Sequence, residues 1–368
     1  FKKLKMKITR RKFIGTCLLG TLCLPYDIST ASTTAETTKL HEAVFFKKLE
    51  GNSVKCQLCP RNCEINEGQR GHCHVRENRG GTLYTLVYGK PCSISPTDPI
   101  QKKPFFHVYP GSTAFSIATV GCNINCKFCQ NWEISQARPE DVVVSYVPPE
   151  KIAEMAVRSG SKTVAYTYTE PTIFFEYMKD CSLAVKERGL GNIVVSNGFI
   201  SQKPLIELCK IITAIKIDLK AFTQKFYTEM CNGFLQPVLN SLKIIKDAGT
   251  WLEIVVLVIP GHNDDQDEIR RMADWITKNL GNDVPLHFTR YHPAYKIQNI
   301  PPTPVQTLIT ARKIAIEQGC HYVYVGNIPG GEGTRTYCPS CKTVVLDRYV
   351  NLLISDSLKN GKCPNCGT

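Results

Sequence analysis

No apolar run in this 368-residue chain reaches membrane-spanning length. The most suggestive one, Phe13 to Pro25, is thirteen residues long, whereas a spanning helix needs about 20. A marked charge excess is missing as well. The formal net charge is +13, but seven of the 45 basic residues fall in the first twelve positions, where there are no acids. Beyond them 38 basic residues face 32 acidic ones, a mild balance that gives no reason to expect a nucleic-acid partner. The hydrophobic content of 43% and charged content of 21% are ordinary for a globular chain with a sizeable core.

The basic start has a meaning of its own. Thr9-Arg10-Arg11-Lys12-Phe13-Ile14-Gly15 leads into the short apolar run, and small residues from Ser29 to Thr34 follow. That order is a secretory signal pattern, and the paired arginines point to the twin-arginine route. Met6 is the expected start, and neither Cys17 nor Cys23 has a convincing lipobox before it. Residues 1–39 are therefore read as signal and Thr/Ser-rich linker.

Cysteine is abundant, with 18 residues. Eighteen in an exported chain would ordinarily mean disulfides, but here they fall in metal-type spacings. Cys122, Cys126 and Cys129 form C-x3-C-x2-C directly after the apolar stretch Phe115 to Val120. A crowded odd triplet suits disulfide pairing poorly, and zinc usually takes paired C-x2-C knuckles. Three thiolates in one loop can hold three irons of a four-iron cluster, leaving the last open to a small molecule. Upstream, Cys56, Cys59, Cys63 and Cys73 have the spacing C-x2-C-x3-C-x9-C, which suits a zinc or a second cluster. At the C-terminus Cys338-Pro-Ser-Cys341 and Cys363-Pro-Asn-Cys366 read as the two knuckles of a zinc ribbon. Cys181, Cys209, Cys231 and Cys320 are isolated and read as core residues.

Between Phe115 and Gly326 apolar strand segments alternate with helical ones. The strand candidates are Phe115 to Val120, Val164 to Tyr168, Asn192 to Asn197, Ala214 to Leu219, Glu253 to Val258, Pro285 to Arg290 and His321 to Val325. Lys151 to Arg158 and Val305 to Glu317 carry the clearest helical periodicity, and Thr82 to Tyr88 reads as a further strand. Strands rich in Val and Ile, alternating with helices, predict parallel βα units. Polar residues cluster where those strands end. They include Glu170-Pro171, Ser196-Asn197-Gly198, Lys216-Ile-Asp218-Leu-Lys220 and His287-Phe-Thr-Arg290-Tyr-His292. Asp218 and Lys220 are two apart and share a strand face; Arg290 has the chemistry to bind a carboxylate or phosphate.

The cysteine triplet, Phe128 before its last cysteine and the βα alternation together resemble radical S-adenosylmethionine (SAM) enzymes. The resemblance implies an α/β fold, a partial (β/α)6 TIM-like barrel spanning residues 114–327. A small Cys-rich N-terminal module (40–113) and a zinc-ribbon-like module (328–368) would flank it. It also implies a [4Fe-4S] cluster on Cys122, Cys126 and Cys129, with SAM on the fourth iron through its amino and carboxylate groups. Glu170, Ser196, Asn197, Asp218, Lys220 and His292 would lie beside SAM, with His287 a packing residue or substrate contact. At Glu170 the chain departs from the usual Gly-Gly-Glu-Pro, having Tyr168-Thr169 in place of the glycines.

Several stretches narrow the resemblance. They are Cys59-Pro-Arg-Asn-Cys63, Asp98-Pro-Ile-Gln-Lys-Lys-Pro104, Cys129-Gln-Asn-Trp-Glu-Ile-Ser135, Arg290-Tyr-His-Pro-Ala-Tyr295 and Tyr337-Cys-Pro-Ser-Cys341. In these the chain is similar to AmmeMemoRadiSam-system radical SAM proteins, relatives of pyruvate formate-lyase activating enzyme. The expected activity is reductive cleavage of SAM to a 5′-deoxyadenosyl radical that abstracts hydrogen from an unidentified substrate, a protein among the candidates. Flavodoxin or ferredoxin is the expected class of electron donor, and zinc the expected additional metal. A glycyl-radical activase is the narrower alternative; an electron-transfer or zinc-scaffold protein that does not cleave SAM is the alternative of another class. For compartment, the signal favours the periplasm or cell envelope and SAM chemistry favours the cytoplasm.

Overall fold

The structure is a computed structural model and describes residues 40–368. The basic start and its apolar run, read above as an export signal, lie outside the described residues.

Eight strands form the central sheet: β1 (Ser93–Pro99), β2 (Thr113–Ala118), β3 (Thr163–Tyr166), β4 (Gly191–Ser196), β5 (Ala214–Asp218), β6 (Trp251–Val258), β7 (Leu286–Arg290) and β8 (Val323–Gly326). Their spatial order follows chain order. β2 to β8 are all parallel, with registers such as Phe115↔Val164 and Ile254↔Leu286. These are the seven strand segments expected from the sequence. β1, antiparallel to β2 at one edge, was not. Its two prolines, Pro96 and Pro99, hide its strand character, yet proline is tolerated at a sheet edge.

One helix of eight or more residues occupies each parallel crossover: α1 (Pro149–Arg158), α2 (Phe175–Glu187), α3 (Gln202–Cys209), α4 (Leu235–Asp247), α5 (Gln266–Leu280) and α6 (Val305–Glu317). α5 shows why such segments are helical. Asp265 caps it by accepting from the Glu268 N–H at 2.7 Å, and Gly281 ends it at φ 91°. Between them Ile269, Met272, Ala273, Ile276 and Leu280 bury one face at helical spacing. Replacing the cap with alanine would cost about 1 kcal/mol. Among the described residues no helix is long and apolar enough to cross a membrane.

The cysteine region before the sheet is two small antiparallel ribbons. Phe46–Lys48, Val54–Cys56 and Glu64–Ile65 form one; His41–Glu42, Thr82–Thr85 and Arg76–Arg79 form the other. Val54, Leu58, Ile65, Val75 and Leu83 belong to the same hydrophobic core as the central sheet. Arg76 fastens this region to α2. It is buried, pairs with Glu176 at 2.6 Å and donates to the Val44 carbonyl at 2.6 Å.

After β8 come β9 (Thr336–Tyr337), β10 (Val344–Tyr349) and β11 (Leu352–Asp356), an antiparallel three-strand sheet. It has a small core of its own, in which Val345 and Leu346 pack with Cys338 and Cys363. Arg348 of β10 reaches back to the central sheet. Its guanidinium lies 4.3 Å from the Phe106 ring and donates to the Phe106 carbonyl at 2.7 Å. Phe106 and His107, which follow β1, also touch Tyr324 of β8: the Phe106–Tyr324 ring centroids are 4.7 Å apart, and His107 Nε2 is 2.6 Å from the Tyr324 hydroxyl. The flanks of the two edge strands thus meet at a seam that Arg348 covers.

Candidate functional site

Alternate residues of the parallel strands share a face, and one face converges on a cavity of about 370 Å³. That volume lies in the range of about 300–1,000 Å³ usual for small-molecule sites. Lys216 and Asp218 of β5, Val255 and Leu257 of β6, and His287 and Thr289 of β7 all line it. Cys122, Cys126, Cys129 and Phe128 form the wall contributed by the loop after β2.

That loop is held by its neighbours. Asn197, just past β4, donates through Nδ2 to Asn123 Oδ1 at 2.9 Å and approaches Cys122 Sγ at 3.8 Å. Asn123 in turn donates to the Phe199 carbonyl at 2.6 Å. Backbone N–H groups of Asn125 and Lys127 donate to the carbonyls of Cys231 and Met230, both at 2.9 Å. Cys129 Sγ lies 3.2 Å from the Ser135 hydroxyl. Burial pushes the Cys122 and Cys129 thiols up. A hydrogen bond with the Cys231 thiol, together with burial, does the same to Cys126. Cys231 was read as an isolated core residue; it is buried, but against a cysteine of the site.

Glu170, Ser196, Asn197, Asp218 and Lys220 also line the cavity. Both oxygens of Glu170 are taken up within the chain. Oε1 accepts from the Thr172 N–H at 3.0 Å, the Thr172 hydroxyl at 2.6 Å and the Ser196 hydroxyl at 2.7 Å; Oε2 accepts from the Asn197 N–H at 2.8 Å. The carboxylate therefore ties the end of β3 to the end of β4. Burial raises its pKa, and these donors offset the rise only in part.

Asp218 sits between two lysines, accepting from Lys216 on one oxygen and from Lys220 at 2.8 Å on the other. Burial opposes its charge, but the two ammonium groups outweigh it and hold the carboxyl below its ordinary range. Burial lowers Lys216, whereas the Asp218 charge keeps Lys220 raised against the same burial. Lys216 lies two residues from Asp218 on the same face, a spacing legible in the sequence.

The two histidines divide differently from expectation. His287 is buried in the cavity wall, with Nε2 at 2.7 Å from Glu253. His292 is exposed and is not among the residues lining the cavity. The inward alternation of β7 reaches His287 and Thr289, and the strand has ended before His292.

A further charged group escaped sequence reasoning. Lys103 donates to Asp98 at 2.6 Å and to the Tyr168 hydroxyl at 3.2 Å, with its ammonium 4.3 Å from the Tyr168 ring. Burial pushes Lys103 down to about 8. Tyr168 has φ 67°, a left-handed conformation unusual for an aromatic residue. It stands where the glycine of the usual motif would adopt that angle freely. Its side chain reaches the Asp98–Lys103 pair, and β3 ends at Tyr166 rather than Tyr168. Gln101 lines the same wall with a buried, unpartnered Nε2.

At the C-terminus the sulfurs of Cys338, Cys341, Cys363 and Cys366 all lie within 4.8 Å of one another, close enough to share one metal ion.

Comparison with known proteins bears on this arrangement. The Radical SAM superfamily model matches residues 116–276. The chain is 43% identical over 330 residues to the uncharacterized protein MJ0808 of Methanocaldococcus jannaschii, covering 89% of this chain and 98% of that one. It is 23% identical over 220 residues to pyruvate formate-lyase 1-activating enzyme of Escherichia coli, covering 55% of this chain and 88% of that enzyme. Among solved structures, a domain of pyruvate-formate lyase-activating enzyme from Bacteroides vulgatus superimposes with a TM-score of 0.40 at 17% identity, covering 45% of this chain and 98% of that domain. The matched segment is the one that carries the cysteine loop and most of the strand ends around the cavity, so residues 116–276 form a domain of the Radical SAM superfamily, homologous to the activating enzyme.

Proposed function

We propose that this chain is a radical SAM enzyme of the AmmeMemoRadiSam type that abstracts hydrogen from a protein or protein-bound substrate. The observation that supports this is the convergence of Cys122, Cys126 and Cys129 with the Lys216–Asp218–Lys220 group on one cavity. Three clustered thiols fit the superfamily's [4Fe-4S] cluster, and a paired carboxylate and ammonium fit the charged end of SAM. When bound, that cluster and SAM supply a 5′-deoxyadenosyl radical by one-electron reduction. The chain's own groups prepare the place. Glu170 fixes Ser196 and Asn197 through the hydrogen bonds described above, and Asn197 fixes the cysteine loop. Lys220 and Asp218 offer opposite charges in a half-buried wall, where they attract more strongly than in water. Val255, Leu257 and Phe128 exclude water from the same space. The C-terminal cysteines are read as a zinc ribbon, and a flavodoxin or ferredoxin as the electron donor.

The test is anaerobic reconstitution followed by assay of 5′-deoxyadenosine with dithionite and SAM. Wild type yields product, and the Cys122→Ala/Cys126→Ala/Cys129→Ala variant yields none. A cluster-loaded wild type that leaves SAM intact would favour an electron carrier. Homology to an activating enzyme favours one narrower reading, installation of a glycyl radical on a partner protein. A radical signal on such a partner, with the splitting of a glycyl α-hydrogen, would establish it.

A further inference from the structure

Cys56, Cys59, Cys63 and Cys73 line a second, smaller cavity of about 20 Å³. Its wall carries donors for sulfur. The His72 N–H points at Cys63 Sγ at 3.5 Å, and Arg76 Nη1 lies 3.6 Å from Cys56 Sγ. Arg76 is 1% exposed, and its Nε has no partner. Buried polar groups are ordinarily satisfied, so an unpartnered guanidinium nitrogen in a four-thiol wall calls for an acceptor there. Hydrogen bonds to sulfur are also one of the means by which a protein sets the potential of an iron–sulfur cluster.

The arrangement favours a cluster over a single ion. One zinc at about 2.3 Å from each of four thiolates holds the sulfurs about 3.8 Å apart. Among the described residues, the one group of three or more possible ligands drawn within 4.8 Å is the C-terminal four. The N-terminal four stand around their cavity without closing to that distance. A cluster with one iron per thiolate spaces its ligands more widely than one ion does.

The position is as telling as the ligands. Cys122 and Ile124 face the large cavity, and Asn123 between them faces the small one. Arg61, also in the small cavity's wall, donates through Nε to the Asn123 carbonyl at 2.7 Å. Gly121 packs so tightly on this region that a Cβ there would meet the Cys73 carbonyl oxygen at 3.0 Å and Val75 Cγ1 at 2.8 Å. The loop segment around Asn123 thus contributes to the walls of both cavities.

We propose that Cys56, Cys59, Cys63 and Cys73 hold a second [4Fe-4S] cluster that delivers electrons to the one at Cys122, Cys126 and Cys129. A one-electron protein donor is oxidised as the second cluster is reduced. That cluster is reoxidised as the electron passes by the Asn123 segment to the first. The relay role rests on the radical SAM reading; the metal site does not.

The experiment is iron, sulfide and zinc analysis of the full chain after anaerobic reconstitution, with EPR of the reduced protein. Wild type should contain about eight irons, four per cluster, and about one zinc. Its two reduced signals should broaden each other, and one should shift with SAM. The Cys122→Ala/Cys126→Ala/Cys129→Ala variant should keep about four irons and a signal that SAM leaves unchanged. A wild type with about four irons and about two zincs overturns the second cluster, and this count needs no variant to fold. Two signals without mutual broadening overturn the relay. Two interacting signals, neither responding to SAM, leave the second cluster standing and overturn the SAM reading and its relay role.

Discussion

The two four-cysteine regions offer the same ligands on opposite kinds of scaffold. The C-terminal four draw within 4.8 Å and pack with Val345 and Leu346 in a small core of their own. The N-terminal four stand around a cavity, and their supporting residues Val54, Leu58 and Val75 belong to the core of the central sheet. Ligand type is therefore common to both, while packing decides the consequence. The C-terminal region depends on what its thiols bind. The N-terminal region is held by the main fold, whatever its thiols bind.

The largest effect should come from removing the zinc proposed for the C-terminal cysteines. Structural zinc contributes about 10–16 kcal/mol to such small folds, far more than this core supplies. Chelation, or Cys363→Ser, should abolish amide-exchange protection in β10 and β11 while β2 to β7 keep theirs. Persistence of protection in β10 and β11 would break the contrast.

Arg76→Met tests the other side. It leaves Glu176 charged and buried without its partner, at a cost of about 3–5 kcal/mol. Because this region shares the main core, the loss should appear as a lower midpoint of the whole urea transition. A separate early transition for residues 40–90 would show that the region is not integral.

Arg348→Ala probes the seam where the C-terminal module covers the flanks of β1 and β8, and should cost about 3 kcal/mol, from the cation over Phe106 and the lost hydrogen bonds. Exchange should rise in both β8 and β10. A rise in β10 alone would confine the arginine to its own module.

The smallest effect is a pH dependence. Burial holds His107 down to about 4 from its ordinary 6.5. The native state therefore binds fewer protons than the unfolded one between those values, and stability is lost as pH falls from 6.5 to 4. His107→Gln should flatten that part of the urea-midpoint profile; an unchanged slope would assign the acid sensitivity elsewhere.

Much of the sheet was legible because most parallel strands are compact buried runs and each crossover carries a helix of ordinary length. The cysteine loop was legible because its residues are neighbours in the chain. What escaped depends on partners far apart in sequence. Lys103 acquires its meaning only when β3 brings Tyr168 to it, and Cys231 only when its loop meets Cys126. His287 was undervalued for another reason. The motif resemblance drew attention to His292, although strand alternation alone puts His287 and Thr289 on one face.

The seam also bears on how the chain is made. β1 and β8 leave the ribosome far apart in time, and Arg348 emerges after both. Throughout synthesis of the central sheet its flanks remain unsealed, and unpaired strand edges invite pairing with other chains. A nascent chain of this design should engage chaperones until its last module is out. Truncations that spare the cysteine loop and the polar strand ends of β3 to β5 yet remove β10 should accumulate as aggregates rather than as a smaller active enzyme.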